Sequence, residues 1–181
     1  MKYYLLGIII TAGGCHSPAS SPVPLPSPLG PPPAAAAMLQ GHLSPEESRN
    51  LQVIRWIHEG PRIVQRFRDS GALTDSVEWI VPGPPSVLPF AGTWRGLEGI
   101  AEFQRRLDAT MRYDRVELRE YFASANSVAA VFFGEGIARR TGHPFRSEIL
   151  RLYTFDGATG KIIRVRNYYD TDSYVAAVRG Q

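Results

Sequence analysis

The side chains best suited to chemistry lie in the last β-like segment of the sequence, residues 161–169. Side chains of a strand alternate between its two faces. One face carries Ile163, Val165, Asn167 and Tyr169, and the other carries Ile162, Arg164, Arg166 and Tyr168. Because two arginines favour contact with water or with a partner subunit, we expect the face with Asn167 and Tyr169 to point inward. An inward amide and phenol can orient a ligand oxygen or carry a proton.

Most familiar catalytic and binding motifs are absent from the sequence. Its single cysteine, Cys15, excludes a disulfide framework within the chain and a cysteine-rich zinc site. The four histidines show no metal-ligand spacing, and there is no glycine-rich phosphate loop and no Ser/His/Asp or Cys/His set. The net charge of +3 is too small for the electrostatic footprint of a nucleic-acid-binding protein. We therefore expect no cofactor, no metal site and no nucleic-acid partner.

The spacing of apolar residues predicts a folded domain over residues 44–181. Ser44-Pro45-Glu46-Glu47 has the signature of a helix start. A second helix begins at Pro61 and ends at Gly71, and residues 96–111 carry the apolar period of a third. The predicted strands are Val77–Pro82, Val116–Ala123, Ser127–Arg139, Phe145–Phe155 and Lys161–Tyr169, followed by a short helix, Ser173–Arg179, capped by Thr171 or Asp172.

This order of elements, α-α-β-α-β-β-β-β with a short C-terminal helix, is typical of an α+β fold. The short turns between the last four strands predict an antiparallel arrangement. Long twisted strands curl, so we expect a curved, cone-shaped sheet wrapped around the N-terminal helices, with a cavity at its open end.

The N-terminal residues differ from the rest of the sequence. Residues 1–14 have the anatomy of an export signal: Lys2 is the only charge, and an apolar run, residues 3–10, is followed by small residues. Cys15 directly after Ala-Gly-Gly resembles the lipobox of bacterial lipoproteins, although Ala12 stands where that family usually has leucine. The resemblance implies that Cys15 carries a lipid and anchors the protein in the cell envelope.

Residues 15–43 form a predicted Pro/Ser/Ala-rich linker. Eight prolines between Ser17 and Pro33 exclude helix and sheet interior and favour an extended spacer. Such a spacer would lift the folded domain off a membrane to which Cys15 is attached. The alternative is that translation starts at Met38, which predicts a cytoplasmic protein without a lipid.

Three segments carry a family resemblance: Asp75–Gly83, Pro89–Ile100 and Gly160–Thr171. Their motifs, order and spacing resemble the SnoaL-like proteins of the nuclear transport factor 2-like superfamily, whose relatives include ketosteroid isomerase and limonene epoxide hydrolase. The resemblance covers residues 46–178. It implies a cone with a central pocket and a homodimer formed through the outer face of the sheet. Members include isomerases, hydrolases, polyketide cyclases and proteins without a known reaction.

The resemblance also implies a pocket. Hydropathy alone leaves the strand 145–155 unoriented, but the resemblance places Arg151 inward, and likewise Trp79 in the first strand. An inward Arg151 can bind a carboxylate or enolate-like oxygen. In the alternative, Arg151 pairs with an internal acid or points outward and only organises structure. The candidate pocket residues are Trp56, Trp79, Phe90, Ser147, Arg151, Tyr153, Asn167 and Tyr169.

The known reactions of the relatives match poorly. The segment Ile80-Val81-Pro82 has no carboxylate where ketosteroid isomerase keeps its base, and Val53 stands at its tyrosine position. The acid pair of limonene epoxide hydrolase has no counterpart on the inward face. We therefore predict a domain that binds a small, largely apolar ligand, with catalysis left open. The alternatives are a cofactor-independent isomerase, hydrolase or cyclase acting on a carbonyl or epoxide compound, and a non-catalytic, membrane-tethered interaction module.

Overall fold

The computed structural model describes residues 43–58 and 63–181. The predicted signal, Cys15, most of the linker and Met38 lie outside these residues, so the anchoring and start-site hypotheses stay predictions. None of the helices within the described residues is long and apolar enough to cross a membrane.

Within the described residues, three helices precede or interrupt the sheet and a fourth follows it: α1 (Pro45–His58), α2 (Ile63–Ser70), α3 (Gly96–Thr110) and α4 (Thr171–Arg179). The start of α1 is the predicted capping box. The backbone N–H of Ser44 donates to Glu47 Oε2 (2.8 Å), and that of Glu47 donates to Ser44 Oγ (3.2 Å). At α4 the cap is Asp170, whose carboxylate accepts from two backbone N–H groups, and not Thr171 or Asp172 as predicted.

In the part of the chain that the structure describes, six strands form one sheet in the order β2-β1-β6-β5-β4-β3. Their bounds are β1 (Leu73–Val81), β2 (Gly92–Arg95), β3 (Met111–Ser124), β4 (Ser127–Ala138), β5 (Pro144–Phe155) and β6 (Ile162–Tyr169). The last four strands form the predicted antiparallel arrangement. The α+β, curved-sheet prediction is therefore confirmed.

Two features of the sheet differ from the prediction. The short strand β2 was missed, because its four residues in a Gly/Pro-rich region carry no visible alternation. The sheet is also not wholly antiparallel, since β1 pairs in parallel with β6, with Trp79 opposite Val165. This pairing brings the first strand beside the last one, so that both contribute to the concave face.

The prediction of which face of β6 points inward is correct at the C-terminal end of the strand and wrong at its start. Val165 and Asn167 are buried, whereas Arg164 and Arg166 are exposed. Ile162 is fully buried and Ile163 is 38% exposed, the reverse of the prediction. A register shift in the pairing of β5 with β6 lies between Thr154 and Phe155, so the alternation breaks at that point.

Candidate functional site

A cavity of about 400 Å³ lies between the helices and the concave face of the sheet. Its walls are largely apolar and include the rings of Phe67, Trp79, Phe103 and Phe132. The polar side chains that reach it are His58, Gln104, Asp108, Tyr113 and Arg151. A concave, mainly apolar site with a few converging polar groups is the usual form of a small-molecule site.

Arg151 is the cation of this cavity, and its orientation is fixed. Its Nε–H donates to Asn167 Oδ1 (2.9 Å), and Asn167 Nδ2 in turn donates to the carbonyl oxygen of Ile80 (3.0 Å). The guanidinium carbon lies 5.0 Å from the ring centroid of Trp79 and 5.1 Å from that of Phe132. Strand pairing sets this arrangement, because Arg151 on β5 stands opposite Asn167 on β6.

Arg151 has no acidic partner. Within residues 43–58 and 63–181, no carboxylate lies within ion-pairing distance of its guanidinium, and Asn167 is its recorded side-chain hydrogen-bond partner. The described residues therefore do not form the internal Arg–acid pair that was the alternative for Arg151. A half-buried guanidinium keeps its other N–H groups available, and it favours an electronegative ligand atom.

His58 and Tyr153 form a second polar unit next to Arg151. The distance from His58 Nε2 to the Tyr153 hydroxyl is 2.6 Å. Burial, aided by the charge of Arg151, lowers the pKa of His58 to about 3. Burial also raises the pKa of the Tyr153 phenol to about 12, an effect that Arg151 opposes. Both groups are therefore uncharged at neutral pH.

A smaller pocket of about 30 Å³ adjoins the cavity at Arg151, which lines both. Phe90, Asn167 and Tyr169 contribute to its wall. The Tyr169 hydroxyl donates to the carbonyl of Pro82 (2.6 Å), and burial raises the pKa of Tyr169. Tyr169 is thus held by the loop after β1, and its hydroxyl proton is already engaged.

The structure brings together most, but not all, of the residues that the sequence singled out. Trp79 and Arg151 line the cavity, while Phe90, Asn167 and Tyr169 line the smaller pocket. Tyr153 is fully buried behind His58.

Two predicted pocket residues lie elsewhere. Trp56 is 44% exposed, and its ring stacks with the Arg66 guanidinium at 4.3 Å, so it does not reach the cavity. Ser147 is buried, but its hydroxyl donates to the carbonyl of Glu148 and accepts from the backbone N–H of Asp170. It ties β5 to the start of α4, and its role is structural.

The sequence analysis missed His58 and the polar pair on α3. His58 follows Ile54 by four residues, one helical turn, and Ile54 is fully buried; this spacing could have indicated its inward face. Asp108 lies one turn after Gln104, which donates to it (2.9 Å), and both reach the cavity. Within the described residues, no three His, Cys, Asp or Glu side chains are grouped as a metal ion requires.

The curved sheet, the packed helices and the cavity between them define a protein of the nuclear transport factor 2-like fold. A family model described as the SnoaL-like domain matches residues 70–165, just over half of the chain. The chain therefore belongs to the SnoaL-like domain family. No curated protein matches it significantly.

Solved structures support the same fold. An NTF2-like protein from Burkholderia xenovorans is 23% identical, with 73% of this chain and 97% of that chain covered and a TM-score of 0.59. A candidate SnoaL-like polyketide cyclase from a Jannaschia species is 16% identical, with 78% and 99% covered and a TM-score of 0.63. A candidate isomerase from Rhodopseudomonas palustris is 21% identical, with 73% and 97% covered and a TM-score of 0.56. At these identities the likeness establishes the fold.

Proposed function

We propose that the cavity binds a small, largely apolar molecule whose electronegative oxygen faces Arg151. The observation that carries this proposal is the guanidinium itself, held by Asn167 between the rings of Trp79 and Phe132 and without a carboxylate partner in the described residues. A ligand oxygen would supply the acceptor that the described residues do not provide.

The physical argument concerns desolvation. A guanidinium removed from water loses hydration, and its unused N–H groups are costly unless an acceptor replaces that water. In the cavity of about 400 Å³, aromatic and aliphatic walls offer contact to an apolar body. Arg151 then determines the orientation of the bound ligand, because its planar donors suit a carboxylate or an enolate-like oxygen.

The proposal is tested with Arg151→Met and the matched control Arg146→Met. Arg146 lies on the same strand with its side chain exposed on the other face. The probe is 2-naphthoate, a flat apolar body with one carboxylate, titrated by fluorescence or calorimetry. We expect Arg151→Met to weaken binding by about tenfold or more, the scale of one charged hydrogen bond, and Arg146→Met to leave it unchanged. Equal binding by the wild type and Arg151→Met would refute the proposal.

Asp108 favours a second candidate function, cofactor-independent chemistry on a carbonyl compound. Asp108 lies in the lining of the same cavity as Arg151. In such a reaction Arg151 would stabilise the developing oxyanion and Asp108 would accept the proton. The variant Asp108→Asn separates the two functions. If the protein is only a binding domain, the variant keeps its affinity for 2-naphthoate, and neither the wild type nor the variant turns over a carbonyl compound. An enzyme loses turnover of its carbonyl substrate and retains that affinity.

A further inference from the structure

The two ring nitrogens of His58 have different surroundings. Nε2 is 2.6 Å from the Tyr153 hydroxyl. In the described part of the chain Nδ1 has no hydrogen-bond partner, and it is not among the buried polar atoms that are sealed from solvent. Because His58 lines the cavity, Nδ1 is the ring nitrogen that the described contacts leave for a ligand.

The hydrogen bond between His58 and Tyr153 is short, with 2.6 Å between Nε2 and the hydroxyl oxygen. A phenol O–H is a stronger hydrogen-bond donor than a neutral imidazole N–H, and a bare imidazole nitrogen is a stronger acceptor than a phenol oxygen. The phenol proton is therefore directed to His58 Nε2, and the charge of Arg151 strengthens the phenol as a donor. A neutral imidazole that accepts at Nε2 carries its own proton on Nδ1.

We infer that Tyr153 holds His58 in the tautomer protonated at Nδ1, and that this N–H donates into the cavity next to Arg151. The inference rests on the proposed function, since it assumes that the cavity takes a ligand. His58 and Arg151 line the same cavity and both lie against one ring, since the imidazole centroid is 4.9 Å and the guanidinium carbon 5.1 Å from the centroid of Phe132. We place the polar group of the ligand next to both of them.

Two converging donors specify the ligand's chemistry. An oxygen that only accepts hydrogen bonds, as in a carboxylate or an enolate, satisfies the guanidinium and the Nδ1–H together. A hydroxyl accepts too, but its own proton finds no acceptor at these two groups and its oxygen carries no charge for Arg151. We therefore assign to the cavity an apolar acid, bound as its anion, in preference to the corresponding alcohol.

The tautomer is measured in the unliganded full-length protein by ¹⁵N NMR of the histidine side chains at pH 7. The resonances of His58 are assigned by their loss in His58→Asn. We expect the Nδ1 shift of a protonated nitrogen and the Nε2 shift of a bare one, and in Tyr153→Phe a shift of population toward the Nε2–H form. A wild-type proton on Nε2 would overturn the inference while leaving the Arg151 proposal intact.

The ligand-binding experiment uses a matched pair of variants, His58→Asn and His58→Gln. The asparagine amide reaches the place of Nδ1, whereas the glutamine amide reaches the place of Nε2. We expect His58→Gln to weaken 2-naphthoate by about tenfold, His58→Asn to weaken it clearly less, and His58→Gln to weaken 2-naphthylmethanol by a smaller factor than it weakens 2-naphthoate. Equal loss of 2-naphthoate binding in both variants contradicts the donor role. If neither probe binds the wild type, the proposed function fails and this inference fails with it, whatever the tautomer.

Discussion

Folding shifts the pKa of His58 far enough for the shift to be tested by experiment. Its pKa falls from 6.5 to about 3, first because burial removes the imidazolium from water and second because Arg151 repels it. Folding therefore requires a neutral His58 next to a permanent cation. Arg151 is then the cation among the described residues of the cavity, so an anionic ligand would meet one cation and one neutral donor.

The lowered pKa of His58 predicts that stability falls in mild acid. Below about pH 6.5, His58 binds a proton in the unfolded chain and does not bind it in the folded chain. The free energy of unfolding should thus fall with a slope approaching about 1.4 kcal/mol per pH unit as the pH drops toward 3. Urea unfolding between pH 6.5 and 5 isolates this effect, because the carboxylates with lowered pKa values, such as Glu102, act at lower pH.

The matched variants for this prediction are His58→Asn and His143→Asn. Asparagine at position 58 does not titrate, so the slope between pH 6.5 and 5 should flatten. His143 lies at the turn between β4 and β5, away from the cavity, and its replacement should preserve the slope of the wild type. A wild-type slope in His58→Asn would show that another group causes the dependence.

Residue-scale prediction worked where strand alternation applied and failed where helix geometry was needed. Asn167 follows from alternation in β6, and the family resemblance added Arg151. Trp56 was chosen for its aromatic ring, but it is turned about 160° around α1 from Ile54, and so it faces outward. His58 shares the face of Ile54 and was missed, because a lone histidine gives no signal until the face of its helix is known.

At the scale of elements, two glycines of β4 allow β3 to approach closely. A glycine inside a strand indicates a bulge or the close approach of another group, and at Gly134 and Gly136 the approaching group is β3. A Cβ on Gly136 would lie 1.9 Å from the carbonyl oxygen of Arg112, and one on Gly134 would lie 3.0 Å from Tyr113 Cε1. The pairing of β3 with β4 shifts register beside this point, between Tyr113 and Arg115.

We predict that Gly136→Ala destabilises the fold by about 1–3 kcal/mol or more, because backbone cannot move aside as a flexible side chain can. Thermal or urea unfolding gives the measurement. Gly157→Ala is the control, since its added Cβ would have no heavy atom within 4 Å. If the two variants were equally stable, the close approach of β3 would not be a constraint.

The elements that sequence analysis missed are those defined by distant contacts. The helices α1 and α3 and the last four strands carry local periods or caps, so they could be predicted. The strand β2 is only four residues long, and its pairing with β1 defines it. The parallel pairing of β1 with β6 joins segments more than 80 residues apart, and no local pattern in either strand reveals it.

At the scale of the whole molecule, the outer face of the sheet remains to be explained. Val131, Leu150 and Tyr168 are register partners that form an apolar row across three strands on this face. Tyr168 is 45% exposed. Ion pairs flank the row, Arg119 with Glu148 and Arg164 with Glu78. An apolar centre with a charged surround is the anatomy of a protein interface, so the expected homodimer stays our prediction for this face.

The dimer prediction is tested by Leu150→Glu, which places a carboxylate at the centre of the row. In a symmetric dimer the same patch meets its own copy, so one substitution introduces two buried, unpaired charges. Light scattering after size exclusion should show a dimer for the wild type and a monomer for Leu150→Glu, with unchanged circular dichroism.

Leu43→Glu adds the same charge at an exposed apolar residue just before α1, outside the sheet, and should remain dimeric. A monomeric wild type, or a Leu150→Glu variant that stays dimeric, would exclude this face as the interface. Because the Arg151 cavity lies on the opposite face, 2-naphthoate binding should survive in the monomer, which makes the interface and the ligand site separable by experiment.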